Sequence, residues 1–325
     1  MEKNSPSFLS QDITQVTSSS AVACFEYIGR GDRNAADQAA VNAMRKAFQK
    51  MPIKGKVVIG EGERDAAPML YIGEKVGIWG EGHPEWDIAV DPLEGTNLCA
   101  KALGGALSVL ALSEKGSLFN APDVYMEKIA CGPKGKGLID LTQSAEENIK
   151  RVSRALNKNV RDMVVVVLDR PRHKELIQSI YNSGARVQLI EDGDLSTSIL
   201  TTWDQDSGSV CVDMLMGTGG APEGVLSASA LKCLGGDFQG RLVFQNEEEK
   251  KRAINMGVEQ VDKVYTIEEL VKSPVIFCAT GVTSGALLKG VVKTHQTMET
   301  ESLYMNSATG ECSKIHESYT DLVFS

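Results

Sequence analysis

The sequence predicts a mixed α/β protein built from two α/β domains, and three observations lead there. At 325 residues, 42% hydrophobic and 24% charged, the chain is long enough for two domains and has the composition of an ordinary globular protein. Short apolar runs such as Ile88-Ala89-Val90 repeatedly end at acids, glycines or arginines, as buried strands do when they deliver polar groups at their ends. In the second half these runs alternate with helical spacing, the signature of a parallel α/β arrangement.

The first twenty residues are merely Ser/Thr-rich. Asn34 to Met51 reads as an amphipathic helix, with Ala40, Met44, Ala47 and Phe48 at helical spacing behind an Asp32/Asn34 capping signal and Asp37 in the first turn. Lys56 to Gly60 is a buried-strand pattern that runs into Glu61-Gly62-Glu63-Arg64-Asp65. Ile88 to Val90 is a further strand, and because Pro92 cannot donate a ladder hydrogen bond, pairing should stop near Asp91. Glu94 follows three residues later and Gly95 permits a tight turn, so two carboxylates can converge while Thr96 presents a hydroxyl beside them. Hard oxygen ligands of this kind suit Mg²⁺ or Mn²⁺. The same letters also fit a surface turn with solvated acids, so other acids must decide.

Ala106 to Leu112 is the next strand, and Asp123 to Met126 turns into another. Gln143 to Leu156 looks like a connecting helix, which places a domain boundary near residue 160, with residues 1–160 as the metal-binding half and 161–325 as the other. In that second half Met163 to Leu168, Arg186 to Ile190 and Cys211 to Met216 are strands, with helices at Lys174 to Asn182 and Asp194 to Thr201. A glycine-rich turn, Gly217 to Gly224, leads into a helix from Pro222 to Leu234, where proline suits the first position. Val275 to Ala279 is read as the last strand of this set, Asn246 to Lys251 as a solvated excursion, and residues 298–305 and 313–319 as a closing hairpin around Thr309-Gly310. Ligands of open α/β sheets bind beyond the carboxyl ends of the strands. There stand Asp169-Arg170-Pro171-Arg172-His173, Asp192-Gly193-Asp194, Gly217 to Glu223, and Thr280 to Gly285.

A net charge of −9 opposes sequence-independent nucleic-acid binding, which needs a basic face. No apolar run approaches the ~20 residues of a membrane helix, and no basic-then-apolar start marks a leader, so neither membrane spanning nor secretion is expected. Seven scattered cysteines without C-x-x-C spacing argue against a disulfide framework or a zinc site and fit a reducing cytoplasm. Several candidates also have plain structural readings. Asp37 fits a helix N-terminal charge contributing about 0.3–1 kcal/mol. Arg170 and Arg172 fit solvated surface charges, His173 fits packing or capping, and Cys99 fits a small buried hydrophobe.

Taken together, G-R-G-D-R-N-A-A-D (29 to 37), V-I-G-E-G-E-R-D (58 to 65), A-P-M-L-Y-I-G-E (67 to 74), D-I-A-V-D-P-L-E-G-T-N (87 to 97), A-P-D-V-Y-M-E-K (121 to 128), D-R-P-R-H-K-E-L-I (169 to 177), D-G-D (192 to 194) and G-G-A-P-E-G-V (219 to 225) resemble class II, or GlpX-type, fructose-1,6-bisphosphatases. The resemblance runs from about residue 10 to about residue 320. The wording at 169–177 and the L-G-G-D-F-Q-G segment near residue 235 look more like the fructose/sedoheptulose bisphosphatases of cyanobacteria. This likeness implies the layered α/β/α/β/α sugar-phosphatase fold shared with inositol monophosphatases, with the active site between two domains. It also implies hydrolysis of the 1-phosphate of fructose 1,6-bisphosphate, a homo-oligomer (dimer or tetramer), and Mn²⁺ or Mg²⁺ as cofactor.

Carried over position by position, Asp37 and Glu61 hold one ion, and Asp91, Glu94 and Glu223 another. Thr96 orients the attacking water, with Asp91 and Glu61 in the same catalytic group. Substrate contacts fall to Glu94, Gly95, Thr96, Tyr125, Arg170, Arg172, Asp192, Asp194 and Gly220, the arginines gripping the distal phosphate. Where some members have Lys-Pro-Arg this chain has Arg170-Pro171-Arg172, a fork in place of a point charge. Sedoheptulose 1,7-bisphosphate, an inositol or nucleotide phosphate, and a catalytically silent sugar-phosphate-binding regulator are the alternatives.

Overall fold

The computed structural model describes residues 6–62, 69–203 and 212–320. It opens with α1 (Pro6–Cys24), α2 (Arg33–Phe48), β1 (Lys54–Ile59), β2 (Lys75–Val76), β3 (Glu85–Glu94), α3 (Thr96–Ala100) and β4 (Leu107–Glu114). There follow β5 (Tyr125–Cys131), α4 (Ala145–Ala155), β6 (Val164–Leu168), α5 (Lys174–Ser183), β7 (Arg186–Ile190), α6 (Asp194–Leu200), β8 (Met214–Gly220) and α7 (Ala221–Leu234). Next come β9 (Asp237–Val243), α8 (Glu247–Asn255), β10 (Val264–Thr266) and α9 (Ile267–Leu270), and last β11 (Val275–Gly281), β12 (Val292–Lys293), β13 (Thr297–Asn306) and β14 (Glu311–Thr320).

These elements form two compact units, one of residues 1–118 with 274–325 and the other of residues 119–273. The boundary expected near residue 160 is thus displaced in two ways. Pairing decides both. β5 is bonded along its length to β8 and β9, so residues before 160 belong to the second unit. β11, expected to close the parallel set, instead lies antiparallel between β4 and β13 of the first unit, and carries Thr280 to Gly285 away with it. The helix expected as a connector, α4, is an interior element, with Ile149 and Val152 in the second unit's core.

The first unit is an eight-stranded sheet in the order β12-β13-β11-β4-β3-β1-β2, with β14 on the outer side of β13. Helices α1 and α2 cover it through a core that includes Val16, Met44, Phe48, Val57, Ile88, Leu110 and Tyr304. α1 was not legible as a helix because its inward face is built of hydroxyls as much as hydrocarbon: Thr14, Thr17, Ser18 and Ser20 are all buried. Each hydroxyl has a partner, some within the helix, as when Thr17 Oγ1 donates to Thr14 O at 3.2 Å, and some beyond it, as when Ser18 Oγ pairs with the Tyr319 hydroxyl, which removes the usual penalty for burying them. Ser20 Oγ reaches Ala40 O at 3.1 Å and Pro92 O at 2.9 Å, tying α1 to both α2 and β3.

The second unit has a six-stranded sheet, β10-β9-β5-β8-β6-β7. Only part of it is parallel. β7, β6 and β8 run together as expected, whereas β5, β9 and β10 are antiparallel. The charged stretch after Asn246 is the helix α8, whose first turn is capped by the Asn246 side chain accepting from Glu249 N. β13 and β14 form the expected hairpin, paired from Thr297↔Thr320 to Asn306↔Glu311. None of the described helices is long and apolar enough to cross a membrane.

Candidate active site

Strand register explains why the acids of the first unit meet. β1 and β3 run parallel with Ile59 opposite Ala89, so two residues further along each chain Glu61 stands beside Asp91. Asp37 joins them from α2 through a side-chain hydrogen bond with Glu61. Asp37 lies beyond the first turn, which starts at Arg33 under an Asp32 cap, and a helix-end charge effect fades within one turn. Its expected first-turn position, and with it the plain dipole reading, is therefore corrected. Burial pushes Asp37 up, and burial together with the Asp37 and Asp91 charges pushes Glu61 to about 9. Such a group of carboxylates is poorly stable as it stands and fits a divalent cation in both charge and ligand hardness. Glu63 and Asp65, the other acids of the 61–65 run, lie outside the described residues, as does Cys211.

Pairing does not stop at Asp91. β3 continues to Glu94, but Asp91 is opposite Val109 and Glu94 opposite Leu107, so β3 carries one extra residue there. Pro92 sits inside this bulge, where its missing N–H leaves no gap in the ladder. The bulge bends β3 so that one carboxylate oxygen of Asp91 and one of Glu94 come within 4.8 Å of each other. Asp91 Oδ1 accepts from Leu93 N at 3.1 Å, which fixes that carboxylate against its own turn. Gly95 follows at φ 79°, ψ 48°, a left-handed conformation, and starts α3 with Thr96 as its first residue. Behind the turn, Leu93, Leu98, Cys99, Ala36 and Ala40 form one buried cluster that holds β3, α3 and α2 together. Cys99 belongs to that packing: burial raises its thiol to about 11, so it is no nucleophile at neutral pH.

The second unit gathers a different chemistry. Arg170 donates to Glu191 O at 2.7 Å and to Asp169 O at 2.9 Å, joining the loop after β6 to the loop after β7. Arg172 lies 4.8 Å from the centre of the Tyr125 ring, a cation–π distance, so two residues expected to touch substrate already touch each other. Asp192 Oδ1 accepts from Gly193 N at 3.2 Å, and the left-handed Gly193 leads to Asp194 at the start of α6. Tyr125 pairs with Gly220 across β5 and β8. A side chain at Gly220 would collide with the carboxylate of Glu223, in the first turn of α7. Glu223 Oε2 is shut off from solvent with no hydrogen-bond partner, and burial raises that group's proton affinity while Lys128 lowers it.

Lys128 was not singled out in the sequence. It is 2% exposed, and its Nζ bonds Asp194 Oδ2 at 2.8 Å inside the second unit. The available signal was a lysine followed by the apolar Ile129, Ala130 and Cys131 on the strand Tyr125 to Cys131, but Glu127 stands beside it, its partner lies 66 residues away and no local pattern announces the pair.

Carboxylates grouped at a strand bulge and arginines at strand ends are the equipment of a phosphate-ester hydrolase. A family model described as bacterial fructose-1,6-bisphosphatase, glpX-encoded, matches residues 7–319. The D-fructose 1,6-bisphosphatase class 2/sedoheptulose 1,7-bisphosphatase of Synechocystis sp. is 47% identical over 324 aligned residues, covering 93% of each chain. Proteins of the same name from Synechococcus elongatus and Thermosynechococcus vestitus are 46% identical over 319 residues (91% of each chain) and 47% identical over 307 residues (86% of each). The chain belongs to the GlpX-type, class II, fructose-1,6-bisphosphatases, which are phosphoric monoester hydrolases.

Proposed function

We propose that the protein hydrolyses the 1-phosphate ester of fructose 1,6-bisphosphate to fructose 6-phosphate and phosphate with the help of Mn²⁺ or Mg²⁺. The observation that carries the metal part is the grouping of Asp37, Glu61 and Asp91, where burial first, and then the charges of the other two, raise Glu61 to about 9. Asp37 and Glu61 hold one ion; Asp91, Glu94 and Glu223 hold the other. When bound, divalent ions offset phosphoryl charge and lower the pKa of a water. Thr96, at the start of α3, holds that water by hydrogen bond and aims it in line with the scissile bond, so most of the rate comes from positioning. Arg170 and Arg172 grip the distal phosphate with Tyr125 against it, and Asp192 and Asp194 accept hydrogen bonds from sugar hydroxyls.

A second substrate, sedoheptulose 1,7-bisphosphate, is favoured by the relatives' names. Membership of this family leaves the inositol-phosphate, nucleotide and silent-regulator readings without support. The protein acts in the cytoplasm as a homo-oligomer; the described cysteines, all free thiols, suit a reducing compartment. The deciding experiment is phosphate release from both bisphosphates and from inositol 1-phosphate, each with Mg²⁺, with Mn²⁺ and with EDTA. Release from fructose 1,6-bisphosphate that EDTA abolishes is expected. Metal-independent release, or a preference for inositol 1-phosphate, overturns the proposal.

A further inference from the structure

β6 and β8 run parallel but their pairing ends early, at Val165↔Met214 and Val166↔Leu215. Beyond Leu215, β8 continues to Gly220 with β5 on one side, so its main-chain groups on the β6 side need other partners. Side chains from the loop after β6 supply them. Thr218 N donates to His173 Nε2 at 2.8 Å, and Thr218 O accepts from Arg172 Nε at 3.1 Å and Nη2 at 2.6 Å. His173 Nδ1 lies 2.7 Å from Leu168 O, which can only accept. The tautomer follows from these two partners: Nδ1 carries the proton and Nε2 is the acceptor. Gly217 makes room for the ring. Its φ of 141° is open to glycine, and a Cβ there would stand 3.2 Å from the imidazole.

We propose that His173 is a positioning residue, which by holding the Thr218 main chain sets the Arg172 guanidinium against the Tyr125 ring for the distal phosphate. Arg172 is exposed and long, and an arginine in that setting samples many rotamers. Two of its donors are held by one carbonyl, that of Thr218, whose main chain is fixed on one flank by the pairing of β8 with β5 and on the other by its N–H on a buried ring. A guanidinium has five N–H donors, so this anchoring leaves others for a phosphate. The inference rests on the proposed role of Arg172 and extends it to a residue that touches no substrate.

The test compares R172A, H173L, H173Q and H173N, each saturated with Mn²⁺, by KM and kcat for fructose 1,6-bisphosphate and by the Kd of fructose 6-phosphate in EDTA. Glutamine places an acceptor near Nε2 and so keeps the Thr218 bond, whereas asparagine reaches only the Leu168 carbonyl. H173L and H173N are expected to raise KM and the fructose 6-phosphate Kd about tenfold, the scale of one lost buried hydrogen bond, with kcat within about twofold. H173Q is expected to recover most of that loss, which a merely structural role does not require. If R172A weakens binding but H173L and H173N do not, the inference is overturned while the Arg172 reading stands. An unchanged R172A overturns both. Should H173L fail to fold, equal behaviour of H173Q and H173N overturns the inference, and recovery by H173Q alone supports it.

Discussion

Replacing Glu61 by glutamine is expected to abolish catalysis and yet stabilise the metal-free fold. In the folded chain the Glu61 carboxyl is pushed from its ordinary 4.5 to about 9, first by burial, then by the charges of Asp37 and Asp91. A carboxyl raised in this way binds its proton more tightly folded than unfolded. Its contribution to stability is therefore complete below about pH 4.5 and is lost as pH rises through about 9. At about 1.4 kcal/mol per unit, the three units between 4.5 and pH 7.5 cost the metal-free fold about 4 kcal/mol, and about 2–4 when Asp37 shares the proton. Glutamine keeps the shape of the protonated acid and has nothing to ionise. At roughly 2–4 °C per kcal/mol for a unit of this size, E61Q should melt about 4–16 °C above wild type at pH 7.5 in EDTA. Differential scanning fluorimetry from pH 5 to 9 checks this. The gap should shrink toward pH 5, and added Mn²⁺ should raise wild type more than E61Q. A lower melting temperature for E61Q at pH 7.5, or a gap independent of pH, refutes the reasoning.

Thr96→Ala should lower kcat by about 10²–10³ with KM and Mn²⁺ affinity little changed, the signature of a group that acts on the reacting water, read from steady-state kinetics and calorimetry. Lys128→Met breaks the buried Lys128–Asp194 pair and should cost about 3–5 kcal/mol by urea denaturation, with part of it recovered in K128M/D194N because the orphaned charge is then gone. Gly95→Ala forces an L-residue to φ 79° and should lose about 1–2 kcal/mol by the same measurement, with a fall in kcat as the Asp91–Thr96 turn shifts.

The acids and arginines were legible as residues because strand ends and glycine turns have local signatures. Their assembly was not. That Asp91 sits in a bulge and not at a strand's exit depends on β4 passing opposite, which no window around Pro92 contains. Lys128 and Asp194 are far apart in sequence, and α1 hides its inward face behind serines and threonines whose hydroxyls bond carbonyls. β11 misled for a related reason. Its apolar run is as good a buried strand for an antiparallel sheet as for a parallel one, and only pairing separates the two.

The late return of β11 also sets the order of synthesis against the order of assembly. β4 leaves the ribosome long before its neighbour in the sheet, and residues 119–273 must be made in between. Left unfolded, that stretch would be a long loop to close; folded first as its own unit, it brings its ends to a defined separation and reduces the entropy lost when β11 docks. The nascent first unit meanwhile exposes one flank of β4, a templating edge for the wrong strand. A chain that stops before residue 275 keeps every proposed metal ligand and every proposed substrate contact, yet lacks the strand beside β4. Its failure would be one of solubility before it was one of chemistry.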